Sequence, residues 1–174
     1  PTPGNVLMNV RIKQSSIAGK GVFAEKDFNT NEPICDLTGE EVSIEEMIRR
    51  VDADEEEGSD PLGIDDESYL DLDELSRTFN HSCAPNAYIS GKNKLFALTS
   101  IKKGDEITFD YSTTMNDNEE KIVGSSGALW TCESVCGASQ CRGIIDQFKT
   151  PSSKQQHYYL HNRFAPDFIL RAFA

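Results

Sequence analysis

Arg77-Thr78-Phe79-Asn80-His81-Ser82-Cys83, continuing through Ala84 to Pro85-Asn86, brings an amide, an imidazole and a thiol into one short run. Far along the chain, Cys132, Cys136 and Cys141 form a C-x3-C-x4-C cluster. Three clustered thiols plus one distant thiol supply the four thiolates of a closed tetrahedral zinc site. If all four share one metal, the C-terminal part is pinned to the middle of the chain. Disulfides are the competing reading. Against them stand the odd count of five cysteines and N-terminal residues that carry no basic, apolar, small-residue leader. A secreted disulfide scaffold is also usually shorter and richer in cysteine. The fifth thiol, Cys35, lies in Pro33-Ile34-Cys35-Asp36-Leu37 and reads as a small core residue.

Around these runs, 174 residues make one domain, or one domain with a small appended module. No apolar run approaches the roughly 18 residues of a membrane-spanning helix, so no membrane contact is expected. A net charge of -12 denies the chain the basic face that a nucleic-acid backbone requires. It suits a basic protein or peptide, whose approach an acidic cleft would speed, although charge also serves solubility. Residues 52–74 hold twelve acidic side chains and no Lys or Arg. The first half of that stretch, Asp52 to Gly63, has the composition of a solvated loop, an acidic docking surface being the alternative.

Most of the rest reads as short strands. Val10 and Ile12 alternate with polar residues, and Gly21-Val22-Phe23-Ala24 follows a glycine-punctuated turn. Tyr88-Ile89 and Leu95 to Leu98 flank Gly91-Lys92-Asn93-Lys94 as a hairpin. Ile107-Thr108-Phe109-Asp110-Tyr111 reads as a strand launched from Lys103-Gly104-Asp105. Ser43 and Glu46 form a capping-box pattern ahead of Ile44, Met47, Ile48 and Val51 on one helical face. A second helix is expected over Asp167 to Phe173. The fold class that follows is mainly β with small helical insertions, not a doubly wound sheet. Gly19-Lys20-Gly21 alone is a weak signal for a dinucleotide loop, since the third glycine and the following helix are absent.

Taken in order, these segments resemble the SET-domain protein lysine methyltransferases with a zinc-binding post-SET tail. Gly19 to Ala24 is similar to the family's N-terminal G-x-G motif, and Ser68-Tyr69-Leu70-Asp71 to its tyrosine-bearing segment. Arg77 to Asn86 resembles the R-x-x-N-H-S-C-x-P-N signature. Gly104 to Tyr111 resembles the motif that carries the catalytic tyrosine, and Cys136-Gly137 with Cys141-Arg142-Gly143 resembles the post-SET cysteines. Together these cover roughly residues 8–145. Two departures stand out: Cys132 and Cys136 are three residues apart where the family usually has C-x-C, and Ser112 to Leu129 is longer and more polar than usual.

The resemblance implies a SET fold of small β-sheets with a C-terminal pseudoknot and a post-SET zinc module. It divides the chain into a SET domain over 1–125, with an acidic insertion at about 41–67, a post-SET motif over 126–146 and a helical tail over 147–174. It implies methyl transfer from S-adenosylmethionine to a lysine side chain. Lys20, Gly21, Val22, Tyr69, Arg77, Asn80 and His81 would line the cofactor pocket. Tyr111 would be catalytic, Phe109 and Tyr111 would form the substrate channel, and Cys83, Cys132, Cys136 and Cys141 would hold one structural zinc. A phenylalanine at position 109 leaves room for di- or trimethylation. The expected partner is a basic substrate such as a histone tail, which would make the protein intracellular and, for a histone, nuclear. A non-histone substrate and an inactive SET-like peptide-binding module are the alternatives. Read alone, Tyr111 and His81 would be a core tyrosine and a hydrogen-bonded interior histidine. Asn80 would cap a turn, and Phe96, Phe148, Phe164 and Phe168 are core or docking aromatics. The first residue, Pro1, points to a domain excised from a longer protein.

Overall fold

The computed structural model describes residues 9–53, 55, 61–116 and 132–174. Within them the strands are short. In chain order they are β1 (Val10–Gln14), β2 (Lys20–Ala24), β3 (Pro33–Asp36), β4 (Gly39–Ser43), β5 (Leu62–Gly63) and β6 (Ser68–Leu72). They continue with β7 (Asn80–His81), β8 (Ala87–Ser90), β9 (Lys94–Ala97), β10 (Glu106–Phe109), β11 (Cys132–Glu133) and β12 (Ile144–Ile145). These form four small sheets with the orders β1-β2-β10-β7, β3-β9-β8, β4-β6-β5 and β11-β12. The mainly β architecture expected from the sequence is what the chain adopts.

Alternation explains the packing. Ala87 and Ile89 of β8 and Leu95 and Ala97 of β9 point inward, and the expected hairpin forms with Ala87 opposite Ala97. Val22 in β2 is fully buried and pairs with Ile12 on one side and Ile107 on the other. The main core gathers Val22, Phe28, Leu37, Ile89, Leu95 and Ile107, and Cys35 packs against it as a half-buried small residue.

The expected first helix forms as α1 (Ile44–Asp52), burying Ile44, Met47 and Val51 against Tyr69 and Val42. Its capping box is half made. Ser43 Oγ accepts from the Glu46 N–H at 3.2 Å, whereas the Glu46 carboxylate turns away to Arg49 and Arg50. A short α2 (Glu74–Arg77) is capped by Asp73. At the C-terminus, α3 (Ser153–His161) and α4 (Asp167–Ala172) enclose Phe148, Tyr159, Phe168 and Ile169 in a second core. Helix α4 matches its sequence signals. Helix α3 has none beyond the Ser152 cap, because Ser-Lys-Gln-Gln-His-Tyr-Tyr-Leu-His carries no apolar stripe and buries only Tyr159.

Three expectations need correction or placement. The strand expected over Ile107 to Tyr111 stops at Phe109, and Tyr111–Thr114 is a 3-10 turn because the Asp110 carboxylate accepts from Ser112 N and ends the extended run. The loop expected over Asp52 to Gly63 gives way at its end to β5, since Leu62 is apolar enough to be buried and pairs with Leu70. Of the long polar segment Ser112 to Leu129, residues 112–115 are buried; residues 117–129 and Trp130 lie outside the described residues.

Candidate active site

The two motif-bearing segments lie side by side. β7 and β10 pair in parallel, with Asn80 opposite Thr108 and His81 opposite Phe109. Ser82 N then donates to Phe109 O at 3.2 Å. Asn86 fastens the same strand from the other motif end: its Nδ2 donates to Glu106 O at 2.8 Å and its Oδ1 accepts from Thr108 N at 2.9 Å. The Asn of Pro85-Asn86 thus sets the register in which the tyrosine strand crosses.

At one end of this crossing sits the glycine loop. Asn80 Nδ2 lies within donating reach of Lys20 O (3.0 Å), Ala18 O (3.2 Å) and Glu106 Oε2 (2.7 Å), and Glu106 Oε1 accepts from Ser15 Oγ at 2.6 Å. Gly21 leaves room for this arrangement: a Cβ on it would lie 2.2 Å from Glu106 Oε2 and 3.0 Å from Asn80 Nδ2, and would push the Glu106 carboxylate off its partners. Lys20 points to solvent, and Val22 is wholly in the core, so only its backbone faces the loop.

At the other end is Tyr111. Its hydroxyl donates to Phe79 O, and its ring stands edge-on to His81 at 5.3 Å and tilted against Phe109 at 5.0 Å. Tyr111, Phe109, Phe79, Leu62, Met115 and Arg77 line a narrow cleft whose cavity volume, about 10 Å³, matches a single water. His81 is buried, and burial lowers its pKa to about 4; the Asp110 carboxylate opposes that shift and Arg142 adds to it. It is therefore neutral. Its Nδ1 accepts from Tyr111 N at 3.1 Å, which leaves the proton on Nε2, 3.2 Å from the Cys83 sulfur.

Of the expected cofactor-pocket residues, the fold brings Lys20, Gly21, Asn80 and His81 to this crossing. Tyr69 packs in the α1 core, and Arg77 opens onto the narrow cleft.

Three of the four candidate metal thiols converge. Cys136 Sγ accepts from Cys83 N at 3.5 Å, Cys83 Sγ accepts from Arg142 N at 3.3 Å, and Cys141 Sγ lies 3.3 Å from Ser134 Oγ. Cys35, Cys83, Cys136 and Cys141 are free thiols. Cys132 sits in β11, opposite Ile145; its side chain lies outside the described residues. The donor atoms of His81, Cys83 and Cys136 lie within 4.8 Å of one another, so His81 Nε2 also faces this cluster. Burial raises the Cys136 pKa, but the Cys83 and Ala138 N–H groups and the Ser134 hydroxyl outweigh it and leave it at about 6, a thiolate at neutral pH.

Sequence reasoning gave no role to Glu106, Asp110, Arg142 or Tyr159. Asp110, next to Tyr111, is almost wholly buried and accepts five bonds. Arg142 Nη1 and Nη2 reach it at 3.0 and 2.7 Å, Tyr159 Oη at 2.8 Å, and Ser112 N and Oγ at 3.1 and 2.7 Å. Burial raises its pKa, yet the Arg142 bonds win and keep it ionised. Glu106 and Asp110 were visible inside the tyrosine motif and Arg142 directly after Cys141; what was not visible is that they meet.

A short strand leading into a tyrosine-bearing turn, crossed against an Asn-His-Ser-Cys segment and backed by a cysteine module, defines a particular class of small β domain. The SET domain family model matches residues 19–112, and the chain belongs to that family. It is 32% identical over 136 residues to the human "Histone-lysine N-methyltransferase 2D", covering 71% of this chain and 2% of that one. A Plasmodium falciparum "Variant-silencing SET domain-containing protein" is 30% identical, covering 64% of this chain and 5% of that one. The Candida albicans "Histone-lysine N-methyltransferase, H3 lysine-36 specific" is 31% identical, covering 59% and 14%. The chain thus spans a small part of the curated relatives it matches. Among solved structures, a humanized mutant of the Chaetomium thermophilum Polycomb Repressive Complex 2 bound to the inhibitor GSK126 aligns with a TM-score of 0.54 and 25% identity, covering 60% of this chain and 15% of that one.

Proposed function

We propose that the protein is a protein-lysine N-methyltransferase that moves methyl groups from S-adenosylmethionine to the side-chain amine of a lysine in a basic protein, with a histone tail as the preferred candidate. The observation that carries this reading is Tyr111, wedged between His81 and Phe109 at the end of a narrow cleft. The names of the relatives support the lysine and histone parts.

A free lysine amine has a pKa near 10.4, so it must lose a proton before it attacks. A desolvating channel walled by Phe109 and Tyr111 disfavours its charged form. Tyr111 acts by orientation: with its ring fixed by Phe109 and His81 and its hydroxyl held by Phe79 O, it holds the amine in line for a direct displacement. S-adenosylmethionine, when bound, supplies an activated methyl on a positively charged sulfur. The residues proposed to hold it are Lys20, Gly21 and Val22 through their backbone, with Asn80, His81, Arg77 and Tyr69 contributing the walls.

The donor set fits one structural zinc. Cys83, Cys136 and Cys141 converge, Cys136 is poised as thiolate, and Cys132 would complete four thiolates. Zinc would supply no chemistry to the transfer and would fix the module over 126–146 to the SET domain over 1–125, with 147–174 as a helical tail. Phe109 lacks a hydroxyl beside the cleft, and we extend the proposal to di- or trimethylation, read from the mass of a methylated peptide; a product confined to monomethyl-lysine overturns that extension. The enzyme would be intracellular, and nuclear if it acts on histones.

The deciding experiment offers labelled S-adenosylmethionine with core histones or a cell lysate, with Tyr111→Phe as the control. Labelling of a histone that is lost in the variant is the expected result. Labelling only of other proteins moves the substrate away from chromatin. No transfer to either, with zinc and cofactor bound, replaces the enzyme by a SET-like peptide-binding module.

A further inference from the structure

We propose that Tyr159, delivered by α3 of the C-terminal tail, is a positioning residue for Tyr111, acting through the buried carboxylate of Asp110. The inference rests on the methyltransferase reading of Tyr111. Asp110 is the residue that turns the chain from β10 into the tyrosine-bearing 3-10 turn. Its Oδ1 accepts from Ser112 N and Ser112 Oγ, which fixes the first bend of that turn and so the direction in which the Tyr111 side chain leaves the backbone. A carboxylate held at one oxygen can still swing about its Cβ–Cγ bond. Here the second oxygen, Oδ2, is held as well, by Arg142 Nη1 at 3.0 Å from the cysteine module and by Tyr159 Oη at 2.8 Å from the tail.

The hydroxyl of Tyr159 is what needs explaining. The residue is 1% exposed in a core of Phe148, Ala165, Phe168 and Ile169, where a phenylalanine would pack without a polar group to satisfy. Burial keeps the phenol protonated, so it serves as a donor, and the bond to Asp110 Oδ2 gives the polar atom a partner. The tail also grips the far end of the same turn. Phe148 N donates to Met115 O at 2.8 Å. Gly63 lies so close that a Cβ there would meet Thr114 O at 2.4 Å and Phe168 Cζ at 3.6 Å. Residues 110–115, which include three of the cleft-lining residues (Tyr111, Thr114 and Met115), are therefore clamped at both ends by a segment that follows the cysteine module. The tail is part of the catalytic geometry and not an appendage to it.

The test is steady-state kinetics on the full 174-residue chain with Tyr159→Phe, beside wild type, Tyr111→Phe and the neighbouring Tyr158→Phe. All are assayed well below their melting temperatures, with zinc content measured. Tyr159→Phe is expected to lower kcat about tenfold, since loss of one bond to a charged group loosens an alignment to which transfer is steeply sensitive. KM for cofactor and for peptide should stay within about twofold, the signature of lost alignment and not of lost binding. Zinc content should be unchanged, and Tyr158→Phe should behave as wild type. A Tyr159→Phe enzyme with wild-type kcat, or one that loses only melting temperature, overturns the inference while leaving the methyltransferase reading intact. An inactive wild type, indistinguishable from Tyr111→Phe, removes that reading instead.

Discussion

Two arginines in this protein do superficially the same thing in different surroundings. Arg49, on the outer face of α1, reaches Glu46 at 2.8 Å and Glu55 at 3.1 Å, with about half of each of the Arg49 and Glu55 side chains exposed. Arg142, from the cysteine module, reaches Asp110 at 2.7 Å, and there the carboxylate is wholly out of solvent. In water, the first kind of pair contributes little, because solvent and salt already satisfy both charges. In the interior, neither charge has an alternative, so breaking one side strands the other. The acidic surface is therefore tolerant ground and the crossing at Asp110 is not, although by formal charge the surface looks more important.

The sharpest way to break that contrast is Asp110→Ala. It leaves a half-buried guanidinium and a buried phenol without their acceptor, a loss on the order of 3–5 kcal/mol. For a domain of this size that corresponds to roughly 10 °C in melting temperature, measured by calorimetry. A fall smaller than about 3 °C would mean that the interior accommodates the stranded charge, and the contrast with Arg49 would dissolve.

Acidity separates the same two regions by pH. His81, inside the crossing, is held at about 4 against a free value of 6.5. Below pH 6.5 the unfolded chain takes up a proton at this position while the folded protein still excludes it. The unfolded state then binds more protons, so stability declines from about pH 6.5 down to pH 4 and the effect is complete below that. Its size is up to ~3 kcal/mol. On α1 the case differs: Arg49 and then Arg50 hold the Glu46 carboxylate at about 2 against 4.5, so any contribution there is lost only as pH falls below about 4.5. Melting temperature followed from pH 7 to pH 4 should fall in wild type and fall less in His81→Gln. Equal slopes would move the acid sensitivity away from the crossing.

The sequence made the crossing legible in its parts. Asn80, His81, Cys83 and Tyr111 sit in short motifs whose residue types are rarely combined for packing alone, and each was found where the fold brings segments together. What stayed hidden is relational. Tyr159 bonds to a carboxylate 49 residues away, and no local pattern announces that. Helix α3, which carries it, has a polar sequence with one buried side chain, so hydrophobic periodicity passes over it. In sequence Asp110 reads as a strand residue, because alternation through Ile107 and Phe109 continues smoothly into Tyr111 and gives no sign that its own carboxylate will cap the following turn. Tyr69 is relational in the same way: the motif marks the position, and nothing local says that its ring will be 3% exposed against α1.

The smallest expected effect is also the most diagnostic for the exposed side of the comparison. Arg49→Ala removes bonds to Glu46 and Glu55 that look as good on paper as those of Arg142, including a pair of contacts from Nε to Glu46 at 2.9 and 3.1 Å. Both partners regain water on its removal, and Glu46 keeps Arg50 at 3.2 Å. Alanine is also the better helix former, which offsets part of what is lost. The melting temperature should move by no more than about 2 °C, and less still in about 0.5 M salt. A larger, salt-resistant drop would mean that the α1 face is organised by its charges as the crossing is. The charged face of α1 would then have to be reread as a structural element instead of a tolerant surface.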